Sequence, residues 1–287
     1  MSTTGTATEH ASDSAAESTE ESAAGFASEW QRWHEQHESA RASEHGFLAV
    51  TSLNWLATEP QRYPDVPGAW STGDDGPVVE LAEGESLEFD GRTLTGRHAF
   101  GPIPERGGVE VAFGDAVAEV ARRGGHDILR PRHPEHPLRR DYTGTPAFAP
   151  EPAWRIEGEF VPFAEPRSVT VGSVAEGLEH VYEAPGEVRF RVGDDDLTLT
   201  VFNGHAPGSY LALFRDATSG VTTYAANRSV SIAAPDAASR VVVDFNRATN
   251  LPCAYTDYAT CPLPPVENVL PLAVEAGEKT PRERATA

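Results

Sequence analysis

The alternation of apolar and polar positions divides the chain into one helical stretch and a long series of short strands. Phe26, Trp30, Trp33 and His37 stand at i, i+4, i+7 and i+11, with Glu29, Arg32, Glu35, Gln36 and Glu38 on the other side. That spacing predicts an amphipathic helix over residues 26–43, ended before Gly46. Phe47 to Leu56 is a second apolar segment without a clear period, and it stops before Pro60. From Pro64 onward the period turns to two. Runs such as Val78–Leu81, Ser86–Phe89, Val109–Phe113 and Ala116–Val120 are separated by Gly and Asp turn signals. Arg122-Arg-Gly-Gly-His126 reads as a hairpin turn leading into Asp127–Arg130.

Residues 131–153 carry many prolines and no period, which predicts a loop; Trp154–Phe160 and Ser168–Val174 read as strands again. Glu187–Val192 and Leu197–Phe202 alternate cleanly on both sides of Gly193-Asp-Asp-Asp196, the strongest hairpin signal in the chain. Tyr210–Phe214, Val221–Tyr224 and Arg240–Phe245 continue the series. About a dozen short strands with close turns and no βαβ alternation predict a mainly β fold. The expected architecture is an antiparallel sandwich or barrel-like single domain over residues 25–279 with an N-terminal helix. Residues 1–24 are rich in Ser, Thr, Ala and Glu and lack large apolar residues after Met1, so they are expected to form a disordered acidic tail. Residues 280–287 are expected to form a second tail.

Charge narrows the functional classes. Lys plus Arg number 23 against 44 Asp plus Glu, a net charge of −21, and Lys279 is the only lysine. Acidic residues spread along a chain almost without lysine suit molar salt, where screening acts within about 3 Å. The expectation is a halophilic, cytoplasmic protein. Nucleic-acid binding requires clustered basic residues, which this chain lacks. No run approaches the roughly 18 apolar residues of a spanning helix, and the N-terminus has no basic or apolar leader, so no membrane partner is expected. The tripeptide Asn227-Arg-Ser229 is a chance glycosylation match in such a chain.

The least ordinary stretch runs from Arg240 to Lys279. An apolar run ends in Asp244-Phe-Asn246-Arg247-Ala248. A loop with Pro252-Cys253-Ala254 and Cys261-Pro-Leu-Pro-Pro265 follows, then Asn268 and Ala276-Gly-Glu278-Lys279. Together with Trp30 and Trp33, Gly46-Phe-Leu48, Trp55-Leu56, Arg122-Arg-Gly124, Phe214-Arg-Asp216-Ala-Thr218, Tyr224 and Arg228, these pieces resemble the domain of unknown function 1684 family over about residues 26–279. The resemblance implies one mostly β domain and no established activity. The family pattern also carries an Arg-rich strand and a compact turn near residues 130–148, where this chain instead has Pro131-Arg-His-Pro-Glu-His-Pro137.

The candidate chemistry leaves several readings open. Asp244 and Asn246 end a strand and project to one face at period two, so they could act as acid–base groups. They could equally satisfy loop backbone through Asx-turns. Arg228 is a candidate anion clamp, and Tyr224, Arg247, Asn268, Glu278 and Asp216 are the other candidate ligand contacts. The principal reading is a small polar or anionic ligand bound near the Asp244–Asn268 loop. One alternative is a hydrolase using Asp244 as base or metal ligand, with Arg228 or Arg247 stabilising charge. Another is an interaction module presenting Tyr255, Pro264 and Pro265. Cys253 and Cys261 lack CxxC spacing and are expected as packed thiols, with a disulfide, a metal and catalysis as the alternatives. His126, His133, Glu135 and His136 carry ligand chemistry but sit in a proline-rich loop, and His34-Glu-Gln-His37 is not the HExxH arrangement. No metal is assigned, no GxSxG, dinucleotide or Walker motif occurs, and no motif names a cofactor.

Overall fold

The computed structural model describes the backbone of residues 9–286 and the side chains of residues 24–286. The expected tail over residues 1–24 falls largely outside the residues whose side chains are described. The helix spans Glu9–Arg41, beginning well upstream of the apolar face that predicted it. None of the helices is long and apolar enough to cross a membrane, among the described residues.

The remaining chain is antiparallel β structure in three sheets, none of which closes into a barrel. Six strands form one sheet in the order Asn54–Trp55, His126–Arg132, Ala116–Arg123, Gly108–Phe113, Leu87–Phe89, Arg92–Leu94. Four form a second in the order Gln61–Arg62, Ala69–Gly73, Gly76–Glu80, Arg97–Ala99. Side chains of both meet in one core containing Trp70, Val79, Leu87, Val111, Val120 and Leu129. The predicted Arg122–His126 hairpin is present. Arg123 pairs with His126 across Gly124 and Gly125, whose φ of 57° and 82° meet the need of a two-residue hairpin turn for left-handed backbone.

The C-terminal half is a seven-stranded sheet in the order Arg240–Asp244, Arg155–Gly172, Glu179–Val192, Asp195–Asn203, Tyr210–Phe214, Arg228–Ile232, Thr249–Asn250. The predicted hairpin at Gly193 is tighter than its four polar residues suggest, because Val192 pairs directly with Asp195. The long ribbon of Arg155–Gly172 and Glu179–Val192 shifts register between Pro162 and Arg167. Such a break lets a strand bend. The sheet curls far enough that Val230 and Ile232, near one end of the strand order, share a core with Val241 and Val243 at the other. This curl is the physical content of the barrel-like expectation.

At the centre of that core lies Phe245, with no exposed surface. Its ring meets those of Trp154, Phe190 and Phe214 at 5.3 to 6.2 Å. The N-terminal helix docks beside it, where Trp30 Nε1 donates to the Asn246 carbonyl at 2.7 Å. The C-terminal residues do not form a free tail. Ala285 N donates to the Tyr255 carbonyl at 2.8 Å, and Asp257 N donates to the Ala285 carbonyl at 3.2 Å. Arg284 also pairs with Asp257 and the Cys253 carbonyl. A polar segment is held here because the loop backbone at Cys253, Tyr255 and Asp257 supplies partners for it. Phe245→Ala should lower unfolding stability by about 4 kcal/mol, the scale for an emptied aromatic core site. Denaturant unfolding of both proteins in molar salt checks this, and a loss below about 1 kcal/mol would contradict the packing described.

Candidate functional site

The eight residues singled out in the sequence are placed in separate structural knots rather than in one pocket. Asp244 caps the turn that follows its strand. Its Oδ1 accepts from Asn246 N at 3.1 Å and Asn246 Nδ2 at 3.0 Å, while Arg247 approaches Oδ2 at 3.5 Å. Asn246 is 1% exposed; its amide also accepts from Glu151 N at 2.8 Å and donates to the Glu151 carbonyl at 2.9 Å. Arg247 reaches Glu29 on the helix at 2.6 Å. The period-two reading of Asp244 and Asn246 as paired acid–base groups is therefore corrected, since the strand ends at Asp244 and a short turn carries Asn246 inward.

Arg228 is also buried. Its Nη2 donates to Asp216 Oδ2 at 2.8 Å and to the Val274 carbonyl at 3.0 Å, and its Nη1 donates to the carbonyls of Ala276 and Glu278. Asp216 Oδ1 accepts from Thr218 N and Oγ1 at 2.7 and 2.6 Å. The clamp that Arg228 makes is thus on its own chain rather than on an incoming anion. Tyr224 donates to the Cys253 carbonyl at 2.8 Å.

Asn268, with no exposed surface, replaces part of a β-ladder. Asp195–Asn203 and Tyr210–Phe214 pair only at Phe202–Leu211 and Asn203–Tyr210. Beyond that point the Asn268 amide fills the gap, accepting from Thr200 N and donating to the carbonyls of Thr200 and Leu213, each at 2.8 Å.

Glu278 ties the helix to the loop. Its Oε1 accepts from Arg41 Nη2 at 2.5 Å and its Oε2 from Asn250 N at 2.6 Å. Burial raises its pKa against the pull of Arg41. Tyr255, expected as a presented contact, is fully buried beside it, its hydroxyl 2.6 Å from that of Thr145. His37 lies in the same knot. Arg41 Nη2 donates to His37 Nε2 at 2.6 Å, which requires that nitrogen to be unprotonated. Burial first, then the Arg41 charge, pull the His37 pKa down from 6.5 to about 4, against Glu38. His126, His133 and His136 are used separately: His126 against Trp55, His133 Nδ1 by Glu135 N, and His136 Nδ1 at the Leu48 carbonyl. Among the described residues no group of three or more His, Cys, Asp or Glu gathers to hold a metal.

A ligand-sized concavity lies on the other face of the same loop. A cleft of about 730 Å³ separates the N-terminal sheets from the seven-stranded sheet. Arg106, Arg123 and Arg130 line one wall, Tyr182, Phe202, Leu211 and Leu213 the other, and Leu251, Thr260 and Cys261 close the end. Glu105 is the only carboxylate among these lining residues, and its oxygens accept from Gly124 N and Gly125 N at 2.7 and 2.9 Å. Arg123 and Arg130 share Glu119 behind the wall with Arg132, at 2.8, 2.7 and 2.5 Å. Arg106 lies 4.5 Å from the Tyr182 ring centroid.

His180 lines the cleft while only 3% exposed. Its Nε2 meets the Thr260 carbonyl at 2.7 Å, so that nitrogen carries the proton. Its Nδ1 is buried with no partner. Burial lowers the His180 and Arg123 pKa values and raises that of Tyr182. Sequence reasoning missed this set, although one signal pointed to it. In the hairpin around Gly124 and Gly125, Glu119 falls opposite Arg130, and Arg123 shares the face of Glu119 at period two.

A family model described as Protein of unknown function (DUF1684) matches residues 140–279. Solved structures match as well. One is the solution NMR structure of an uncharacterized protein of Haloarcula marismortui, 30% identical, covering 50% of this chain and 80% of that one with a TM-score of 0.42. No curated protein matches the chain.

Two outcomes test the knots. Asn268→Ala leaves Thr200 and Leu213 backbone groups buried without partners and should cost about 3 kcal/mol in denaturant unfolding; an unchanged midpoint would contradict the ladder-replacing role. For His37, the folded pKa lies below the unfolded one, so the unfolded chain binds the extra proton between pH 6.5 and about 4. Its stability contribution is complete above pH 6.5 and is lost as pH falls toward 4. His37→Gln should therefore reduce the acid-induced loss of stability by about 2 kcal/mol, after discounting for the partial exposure of the ring. Unfolding curves at pH 7 and 4.5 measure it, and identical losses in both proteins would refute the assignment.

Proposed function

We infer, for a chain that belongs to the family of proteins of unknown function DUF1684, that it binds a small organic anion in the cleft between its N-terminal and C-terminal sheets. One observation carries this reading. In a protein of net charge −21, the cleft lining holds three arginines against one carboxylate, and that carboxylate is tied to backbone N–H groups. A local excess of positive charge in a strongly acidic protein recruits anions to that place and repels them elsewhere. Guanidinium groups suit carboxylate and phosphate oxygens because they donate in a planar fork.

The opposite wall narrows the class. Tyr182 and Phe202 have ring centroids 4.9 Å apart, and Leu211 and Leu213 extend the same apolar surface. An inorganic anion leaves that wall uncovered, whereas an anion with an aromatic or aliphatic body covers it. The charge balance further supports a halophilic, cytoplasmic setting, in which screening by salt leaves the apolar contact a larger share of the affinity.

Binding of a panel of hydroxylated aryl and acyl carboxylates, with inorganic phosphate alongside, is measured by thermal shift and calorimetry in molar KCl. At least one organic anion is expected to raise the melting temperature. Its Kd is expected to weaken about tenfold in Arg106→Ala, an exposed arginine whose loss spares the core. If neutral amide analogues bind as well as the acids, or no acid binds, the anion reading fails.

A further inference from the structure

We propose that Cys261 at the end of this cleft is an oxidisable thiol and that Cys253 is its resolving partner. The inference rests on the cleft as an opening to the sulfur and goes beyond the anion reading, which can fail without it.

Both cysteines are free and buried. They are not equivalent. Cys261 lines the cleft, whereas Cys253 lies behind it, in the short turn Pro252–Ala254. Cys253 N donates to Cys261 Sγ at 3.4 Å, which sets the two cysteines side by side. A backbone N–H aimed at this sulfur favours its anionic form. The nearby charge of Arg130 acts in the same direction, so the Cys261 pKa falls below the usual thiol value. Cys253 is pushed the other way by the neighbouring Cys261 sulfur and by burial. Nucleophilic attack requires the thiolate, so the two sulfurs divide into an attacking and a resolving one.

The backbone holds this geometry. The Cys253 carbonyl accepts from Tyr224 Oη at 2.8 Å and from Arg284, and the Cys261 carbonyl accepts from Val174 N at 3.0 Å and Ser173 Oγ at 3.2 Å. These bonds give the Pro-rich loop and the docked C-terminal segment a shared task, which is to keep two thiols in register across eight residues of chain.

Hydrogen peroxide, little larger than water, is the oxidant class that such a buried sulfur admits. The Cys261 thiol gives its proton to solvent, the thiolate attacks one peroxide oxygen, the O–O bond breaks, and the departing hydroxide takes a proton back from solvent as water, leaving Cys261 sulfenic acid. The Cys253 sulfur then attacks that sulfur, the S–O bond breaks, and a second water leaves. The two thiols lose two electrons in total and the peroxide gains them.

Peptide mass spectrometry after peroxide treatment of the folded protein in molar salt tests the assignment. The wild-type chain should lose two hydrogens and yield a Cys253–Cys261 cross-linked peptide. With dimedone present, Cys253→Ser should carry the sulfenic adduct on Cys261, and Cys261→Ser should carry about tenfold less on Cys253. A wild-type measurement covers the case in which either variant unfolds: limited iodoacetamide should label Cys261 ahead of Cys253. Equal labelling of the two, faster adduct formation at Cys253, or no oxidation of either thiol by peroxide that oxidises free cysteine would each overturn the proposal.

Discussion

A guanidinium excluded from water must find its acceptors inside the protein, and Arg228 finds them in Asp216 and three carbonyls of the segment 274–278. Breaking a buried ion pair of this kind costs about 3–5 kcal/mol because the surviving charge stays buried without its partner. The consequence spreads outward. Holding the 274–278 segment places Gly277 at φ 74°, in a turn so close that an added Cβ would stand 2.5 Å from the Ala248 carbonyl. That turn delivers Glu278 to Arg41, and Arg41 brings the helix against the sheet. The ion pair, the turn and the docked helix form one sequence of dependence, each step set by the one before it.

The same chain of contacts explains why the polar loop is rigid on one side and open on the other. Asn250 holds its inward side to Glu278 and Lys279, while Leu251, Pro252 and Ala259 to Pro262 border the cleft. The opposite border comes from another part of the chain, where three arginines converge on the single carboxylate of Glu119. One carboxylate cannot neutralise three guanidinium groups, and two of the three, Arg123 and Arg130, also line the cleft. Positive charge accumulates there because strand pairing brings distant arginines together, in a chain otherwise short of cations.

Periodicity disclosed what depends on neighbours in sequence. The Trp30 and Trp33 face, the Gly124-Gly125 turn and the Gly193 hairpin are all local, and their residue types leave few alternatives. The conspicuous motif residues Asp244, Asn246 and Arg228 were equally legible, but only as polar groups in an unusual loop. Whether such a group faces a ligand or a carbonyl depends on where Glu151 and Val274 lie, and no local pattern contains that. The cleft was harder still. Arg106, Arg123, Tyr182 and Cys261 come from four separate segments, and His180 announces itself only when its second nitrogen is seen to lack a partner. The C-terminal residues 280–286 were misread for a related reason: polar composition reports no burial, whereas their docking depends on backbone groups of residues 255–257.

Asn268 has a consequence for how this protein meets its own copies. Where two strands part, each offers a row of unpaired amide groups, and such rows template the addition of a foreign strand. Here the carboxamide of a single side chain occupies the split between Asp195–Asn203 and Tyr210–Phe214 and uses the groups at Thr200 and Leu213 that a foreign strand would seek. A crowded, salt-rich solution screens the mutual repulsion of acidic molecules and so removes their long-range defence against association. In that setting a stoppered seam protects colloidal behaviour in a way that surface charge cannot.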